Sequence, residues 1–142
     1  MKSVLIGRHN LLPVQEELLR KINAEIVRRV EQVPTEPQQI REFVKQLKEG
    51  GVEAIVIMGL PINLLAVLHQ EAKKVGIELL LFEMKAIETT ESEERARQLV
   101  AEKPHARTML KEAGTAKIRV IECVGISRVK EVKVEVEPLV SA

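Results

Sequence analysis

The residues best suited to chemistry lie at two points where an apolar segment ends in a turn. Gly7-Arg8-His9-Asn10 follows a short apolar run, and Gly59-Leu60-Pro61-Ile62-Asn63 follows a longer one. An arginine beside a histidine fits phosphate recognition, because charge-assisted hydrogen bonds to phosphate oxygens are strong. The second turn opens an apolar helix at Leu64, whose first backbone N–H groups favour an anion. These two turns are the predicted ligand site.

A competing interpretation is that these residues only form turns. Asparagine, glycine and proline are common in ordinary loops, where they satisfy backbone geometry without any ligand. A histidine such as His9 is often held by a backbone carbonyl. His69 lies within a leucine-rich helix and is interpreted as structural, and His105 with Arg107 as part of a solvated face.

Composition excludes several function classes. The chain has 142 residues and a formal net charge of +1, which argues against a general grip on duplex nucleic acid. All 21 acidic residues are glutamate, so aspartate-dependent phosphorylation and Walker-type magnesium binding are excluded. One cysteine and three scattered histidines give no metal-ligand spacing, and we expect neither metal nor cofactor. No dinucleotide-binding, P-loop, nucleophile-elbow or zinc-protease motif occurs.

The same composition favours a cytoplasmic protein without a membrane segment. The longest uncharged stretch, residues 54–68, is too short to span a bilayer and contains Gly59 and Pro61. No basic and apolar leader is recognisable at the start. The richness in glutamate, lysine and arginine is typical of a heat-adapted source.

Strands and helices alternate along the first part of the chain. Strands are predicted at residues 3–6, 25–33, 54–58 and 77–82, with helices between them. This alternation predicts a Rossmann-like or flavodoxin-like three-layer α/β domain with four parallel strands in the order 2-1-3-4. Ligands bind such sheets outside the carboxyl ends of the strands where the order reverses, which is between strands 1 and 3. The two polar turns are therefore expected to meet there.

The rest of the chain reads as an extension of the same domain. A polar helix is predicted from residue 89 to 103, where Pro104 breaks or restarts it until Gly114. Residues 117–124 and 129–136 are predicted as a hairpin joined at Gly125-Ile126-Ser127-Arg128. Residues 1–142 are thus one domain, with a parallel core at 1–88 and a helix and β-hairpin at 89–142.

Two segments resemble a known family. A short first strand followed by His9-Asn10-Leu11-Leu12-Pro13-Val14-Gln15 resembles the opening of small standalone CRISPR-associated Rossmann-fold (CARF-type) proteins. The second match is Gly59-Leu60-Pro61 with the helix Leu64-Leu65-Ala66-Val67-Leu68-His69. The resemblance covers residues 1–88 and is one of topology and turns, whereas the segment from Glu91 onward resembles no known family.

The resemblance implies a homodimer that binds a cyclic oligoadenylate second messenger, with cyclic tetra-adenylate as the expected ring. Some members of the family cut the ring without a metal and so switch off type III CRISPR antiviral signalling. By this resemblance Arg8 would hold phosphate and His9 would transfer a proton. Asn10 and Asn63 would recognise adenine or ribose through hydrogen bonds, and Lys85 would add a cation at the end of the fourth strand. Gly7, Gly59, Leu60 and Pro61 would complete the ligand-binding turns.

Two further readings stay open at this stage. The chain could be a non-catalytic binding or assembly module. The C-terminal hairpin would then be its interaction surface, or would pair with a strand of another chain. It could also be a small-molecule enzyme on the same scaffold, because this architecture carries many functions.

Overall fold

A computed structural model describes residues 1–133 and 137–140, which contain four helices and a single mixed sheet. In chain order the elements are β1 (Lys2–Ile6), α1 (Pro13–Lys21), β2 (Glu25–Val30), α2 (Pro37–Glu49), β3 (Ala54–Ile57), α3 (Ile62–Lys74), β4 (Glu78–Thr90), α4 (Glu93–Glu102), β5 (Arg107–Lys111) and β6 (Ile118–Arg128).

The sheet has six strands in the order β2-β1-β3-β4-β6-β5. The first four are parallel, and β6 runs antiparallel to both β4 and β5. The predicted order 2-1-3-4 accounts for the parallel part, but the prediction of four strands was incomplete. The apolar run of β3 is fully buried, as expected for a strand covered on both faces.

Helices cover both faces of the parallel strands. Val4 and Ile6 of β1 pack with α2 and α3, whereas Leu5 between them packs with α1. This alternation follows from the two-residue period of a strand. The three layers place the carboxyl ends of β1 and β3 side by side, because Ile6 lies opposite Ile57.

The structure corrects the predicted C-terminal extension in four respects. β4 continues to Thr90 instead of ending at Phe82. Residues 107–111, predicted as helix or loop, form β5, so the helix ends at Glu102. β6 passes straight through the predicted turn at Gly125, so the hairpin is β5–β6 and not a pair of strands on either side of that glycine. Strand 129–136 was predicted, but residues 129–133 form no strand and 134–136 lie outside the described residues.

Position 125 lies within β6 and is occupied by glycine for a steric reason. A Cβ atom built on it would lie 3.0 Å from the Glu83 carboxylate on β4, and that carboxylate accepts a hydrogen bond from Ser127. The glycine therefore clears space for a neighbouring side chain within the sheet and does not form a turn.

Arg107 ties β5 to its neighbours. Its Nε donates to Glu122 on β6 at 2.7 Å, and its Nη1 donates at 2.9 Å both to the Leu99 carbonyl and to Glu102 at the end of α4. The hydrogen bond and the charge of Arg107 outweigh the opposing effect of desolvation and hold the pKa of Glu122 below its usual value. The antiparallel strands β4, β6 and β5 thus form one surface beside the parallel strands, called the wall below, and the bonds of Arg107 stabilise it.

None of the helices in the described ranges is both long enough and apolar enough to cross a membrane.

Candidate functional site

A cleft of about 670 Å³ lies above the carboxyl ends of β1 and β3. Its volume falls within the roughly 300–1,000 Å³ typical of small-molecule sites. One side is formed by the loop after β1 and the loop after β3, and the other by the β4–β6–β5 wall. The lining residues are Ile6, Gly7, Arg8, His9, Asn10, Leu11, Leu12, Gln15, Glu31, Met58, Gly59, Leu60, Met84, Thr108, Met109, Leu110 and Ile121.

The loop after β1 is anchored at Gly7. Its N–H donates to the Val30 carbonyl at 3.0 Å, and its carbonyl accepts from the Arg29 Nε at 3.1 Å. A Cβ atom at Gly7 would lie 2.6 Å from the Met58 sulfur, closer than any real contact of this kind. Glycine is therefore required for Met58 to pack across the end of β1.

The other end of this loop leads into α1, whose first turn holds it in place. The Leu12 N–H donates to the Gln15 side-chain oxygen at 2.8 Å, and the Val14 N–H donates to the His105 carbonyl at 3.0 Å. His105 thus acts through its backbone in the connection between α4 and β5. These bonds satisfy the orphan N–H groups of the helix start and fix the loop from both ends.

The rim of the cleft is polar. Arg8, His9 and Asn10 all line it and all are exposed, so their side chains are available to a ligand. Glu31, directly after β2, places a carboxylate on the same rim. A bound anion would have to approach Arg8 and His9 and avoid Glu31.

The floor of the cleft is apolar. Met58 directly follows β3, Met84 lies on β4 and Met109 lies on β5, and each is partly buried. Ile121 and Leu110 extend this surface along the wall. The chain has four methionines, so three of them converge on one cleft.

The structure brings together some of the predicted site residues and not others. Gly7, Arg8, His9, Asn10, Gly59 and Leu60 line the cleft, whereas Pro61, Asn63 and Lys85 do not. Asn63 lies exposed in the first turn of α3. Lys85 lies within the extended β4, opposite Glu122 of β6, and not at a strand end as predicted. His69 is partly buried within α3.

The start of α3 differs from the start of α1. Within the described residues, no protein acceptor is found for the N–H groups of Ile62, Asn63 and Leu64, and the first bonded one is Leu65, which donates to Pro61 at 2.9 Å. No side chain caps this helix. These N–H groups follow directly on the loop that carries Gly59 and Leu60, so a phosphate passing over that loop would meet them.

Cys123 is not a suitable nucleophile. Burial raises the pKa of its thiol, although hydrogen bonds with the Gly125 backbone and the Gln15 side chain act in the opposite direction. The thiol therefore stays protonated at neutral pH, where the thiolate is the reactive form. In the described part of the chain no group of three or more histidine, cysteine or glutamate side chains is placed to hold a metal ion.

Several lining residues were not predicted from the sequence. Glu31 stands at the end of β2, the position of the acidic ribose-binding residue in dinucleotide-binding folds, about 20 residues beyond the glycine turn. The spacing between Gly7 and Glu31 could have drawn attention to Glu31 in the sequence. The second strand was, however, predicted to run to residue 33, which placed Glu31 inside the strand and not at its end. Gln15 and the three methionines read as ordinary helix and core residues, and only the tertiary structure brings them together.

Comparison with known proteins gives no family. No protein-family model matches the chain, and no curated protein matches it. Among solved structures, the chain is similar to a solution structure of a phosphate-loop protein, with 17% sequence identity over 72% of this chain and 88% of the other and a TM-score of 0.34. A similarity at this level carries no argument about function.

Proposed function

We propose that this protein binds a cyclic oligoadenylate, with cyclic tetra-adenylate as the preferred ring, and opens it by metal-independent attack of a ribose 2′-hydroxyl. Such an activity would switch off type III CRISPR antiviral signalling. The observation that carries the proposal is the placement of Arg8, His9 and Asn10 on the rim of one apolar cleft, above adjacent parallel strands. The resemblance of residues 1–88 to CARF-type proteins supplies the ligand class.

Arg8 is the proposed phosphate ligand. Its guanidinium is exposed on the rim and can donate two hydrogen bonds to one phosphate group. The N–H groups at the start of α3 offer a second anion-binding point beyond Leu60. Arg8 lies on the loop after β1, and the second point lies in the first turn of α3, just beyond the loop after β3 that lines the cleft. A ligand with several phosphates could contact both.

His9 is the proposed proton-transfer group. In the reaction the 2′-oxygen forms a bond to the adjacent phosphorus, the bond from phosphorus to the 5′-oxygen breaks, and a 2′,3′-cyclic phosphate results. The neutral imidazole takes the proton of the 2′-hydroxyl, and the leaving 5′-oxygen takes a proton from water. Arg8 stabilises the negative charge that develops on the phosphate oxygens.

Glu31 is the proposed ribose ligand. A carboxylate accepts hydrogen bonds from hydroxyl groups, and Glu31 lies at the strand end where such contacts occur in related architectures. It would hold a ribose on the side of the rim that repels phosphate.

We propose that the functional unit is a homodimer. One cleft of about 670 Å³ can hold part of a four-nucleotide ring, and a two-fold axis would bring two clefts to opposite sides of the symmetric ring. Ile62 is 57% exposed beside the cleft loop, next to the exposed Pro61, and supplies apolar surface for the contact.

The second candidate is binding without turnover. His9 is the one histidine among the residues that line the cleft, so no second histidine is in place to protonate the leaving group. In that case the protein would sequester or sense the ring.

Matched variants separate phosphate binding from catalysis. Arg8→Ala should weaken binding of cyclic tetra-adenylate about tenfold or more, because it removes charge-assisted hydrogen bonds from ground state and transition state alike. His9→Ala should retain affinity and slow ring opening by about 100-fold or more. Arg20→Ala, an exposed arginine in the last turn of α1, is the control and should change neither quantity.

Calorimetric titration gives the affinity, and chromatography of the ring and its linear product gives the rate. A ring that binds but stays intact over hours with excess protein would leave only the sequestering function. An Arg8→Ala variant with unchanged affinity would show that the phosphates lie elsewhere.

A further inference from the structure

The cleft contains an apolar surface that the phosphate-binding role of its rim does not explain. Met58 reaches it from the loop directly after β3, and Met84 and Met109 reach it from β4 and β5. Methionine is flexible and polarisable, and its sulfur makes favourable contacts with aromatic rings. Such a surface suits a flat, largely apolar group, whereas a phosphate or sugar would gain nothing from it.

The protein has few other means of contacting an aromatic ring. It contains no tryptophan or tyrosine, and its two phenylalanines, Phe43 and Phe82, do not line the cleft. Stacking of a base on tryptophan, tyrosine or phenylalanine, which is a common solution in nucleotide sites, is therefore not possible in this cleft, and His9, the one histidine that lines it, is assigned above to proton transfer. The three methionines are the groups that can take that role.

Gln15 provides a hydrogen-bonding group beside the methionines. It is only 3% exposed, yet it borders the cleft. Its side-chain oxygen accepts from the Leu12 N–H at 2.8 Å, which fixes the orientation of the amide. The amide nitrogen carries two hydrogens, so it can donate to the Cys123 sulfur, a weak acceptor, and to a ligand at the same time.

We infer that Met58, Met84, Met109 and Gln15 form a subsite for the heterocyclic base of a nucleotide, and that Gln15 is its specificity-determining residue. The base lies against the three methionine side chains, and the Gln15 amide nitrogen donates to a ring nitrogen or carbonyl at its edge. The amide oxygen is engaged by Leu12, so Gln15 selects a base edge that presents an acceptor. This inference rests on the proposed function, since it assigns a place to the base of the ligand proposed above.

Methyl signals of the methionines provide a direct test on the intact protein. With ¹³C-labelled methionine methyl groups, adenosine monophosphate should shift the signals of Met58, Met84 and Met109 through the ring current of the base. Met1, at the start of β1 and outside the cleft, should not move. Ribose 5-phosphate, which has the phosphate and sugar but no base, should leave all four signals nearly unchanged.

A substitution tests the role of Gln15. Gln15→Glu keeps an oxygen for the Leu12 N–H but replaces the donor by an acceptor, so we expect the binding of adenosine monophosphate to weaken about tenfold more than the binding of ribose 5-phosphate, which meets only the added charge. A thermal melt of the variant shows whether it folds, and the methyl spectra of the unaltered protein test the subsite independently of it.

The outcomes separate this inference from the proposed function. Equal methyl shifts with both ligands, or an equal change in the affinity for both ligands in Gln15→Glu, would overturn the subsite. If adenosine monophosphate shifts the three methyl signals while cyclic tetra-adenylate does not bind, the subsite stands and the proposed function fails. If the ring binds without moving these signals, the function stands and the subsite is overturned.

Discussion

At the scale of single residues, Gly7 decides how the two loops of the cleft fit together. The Met58 side chain occupies the space that a Cβ atom at this position would need, with the three nearest atoms between 2.6 and 2.9 Å away. One of them is the Met58 Cβ atom, which cannot move without its backbone. The packing of a floor residue of the cleft therefore depends on the absence of a side chain in the first loop.

We predict that Gly7→Ala lowers the free energy of unfolding by about 1–3 kcal/mol, because it forces Met58 out of its position. Gly59→Ala is the matched control, since a Cβ atom there would have no neighbour within 4 Å, and its effect should stay within about 0.5 kcal/mol. Urea denaturation of both variants measures this. Equal losses in the two variants would show that the contact between Gly7 and Met58 is not what makes the glycine necessary.

The rim residues could be predicted from the sequence, but the floor could not. Arg8, His9 and Asn10 stand next to one another at a strand end, and their position follows from the strand itself. Met58 follows β3 and Met84 lies on β4, and their shared cleft depends on how far β4 extends past the end of β3. The sequence pattern within a single strand does not indicate how far that strand extends past the ends of its neighbours.

At the scale of elements, apolar runs made the parallel strands predictable. Residues 54–57 are apolar throughout because both faces of β3 are covered, and this pattern has few alternatives. The second half of β4 has one covered face, so Glu83, Lys85 and Glu88 interrupt its apolar residues and the strand was predicted too short. The same applies to β5, where polar residues favoured a helix or loop.

Glu71 joins α2 to α3 and makes the core sensitive to acid. Burial opposes its ionisation, but hydrogen bonds and charge from Lys74 at 3.2 Å and Arg41 at 3.3 Å outweigh burial and hold the Glu71 pKa below its usual value. A carboxyl group whose pKa is lowered in the folded state stabilises the protein at pH values above the pKa that the group has in the unfolded chain. That contribution is lost as the pH falls from roughly 4.3 through the lower folded value.

We therefore predict that Glu71→Gln lowers stability at neutral pH and reduces the loss of stability that the unaltered protein shows between neutral pH and about pH 3. Glu17→Gln is the control, because Glu17 forms an exposed pair with Lys21 on the surface of α1 and should have little effect at either pH. Urea denaturation at both pH values gives the comparison. Parallel pH profiles for Glu71→Gln and the unaltered protein would contradict the assignment.

At the scale of the whole molecule, two exposed apolar positions distinguish two possible dimers. Ile62 is 57% exposed beside the cleft loop, and Val27 is 44% exposed on β2, an edge strand of the sheet. A dimer across the clefts would bury Ile62, whereas pairing of edge strands would bury Val27.

We predict a dimer in solution that Ile62→Glu converts to a monomer, because the new charge would be buried at the contact. Val27→Glu should remain dimeric. Light scattering at tens of micromolar measures both masses. A dimer lost with Val27→Glu and kept with Ile62→Glu would place the contact at the sheet edge, and a monomeric unaltered protein would exclude the shared site.

The most direct test of the account is a calorimetric titration of the unaltered protein with cyclic tetra-adenylate, followed by chromatography of the mixture. The account predicts saturable binding of one ring to two chains and the appearance of a linear product that ends in a 2′,3′-cyclic phosphate. Arg8 and the start of α3 would contact its phosphates from each chain. An absence of binding at tens of micromolar protein would contradict the account, and the rim residues would then be turn residues of a cleft with another ligand.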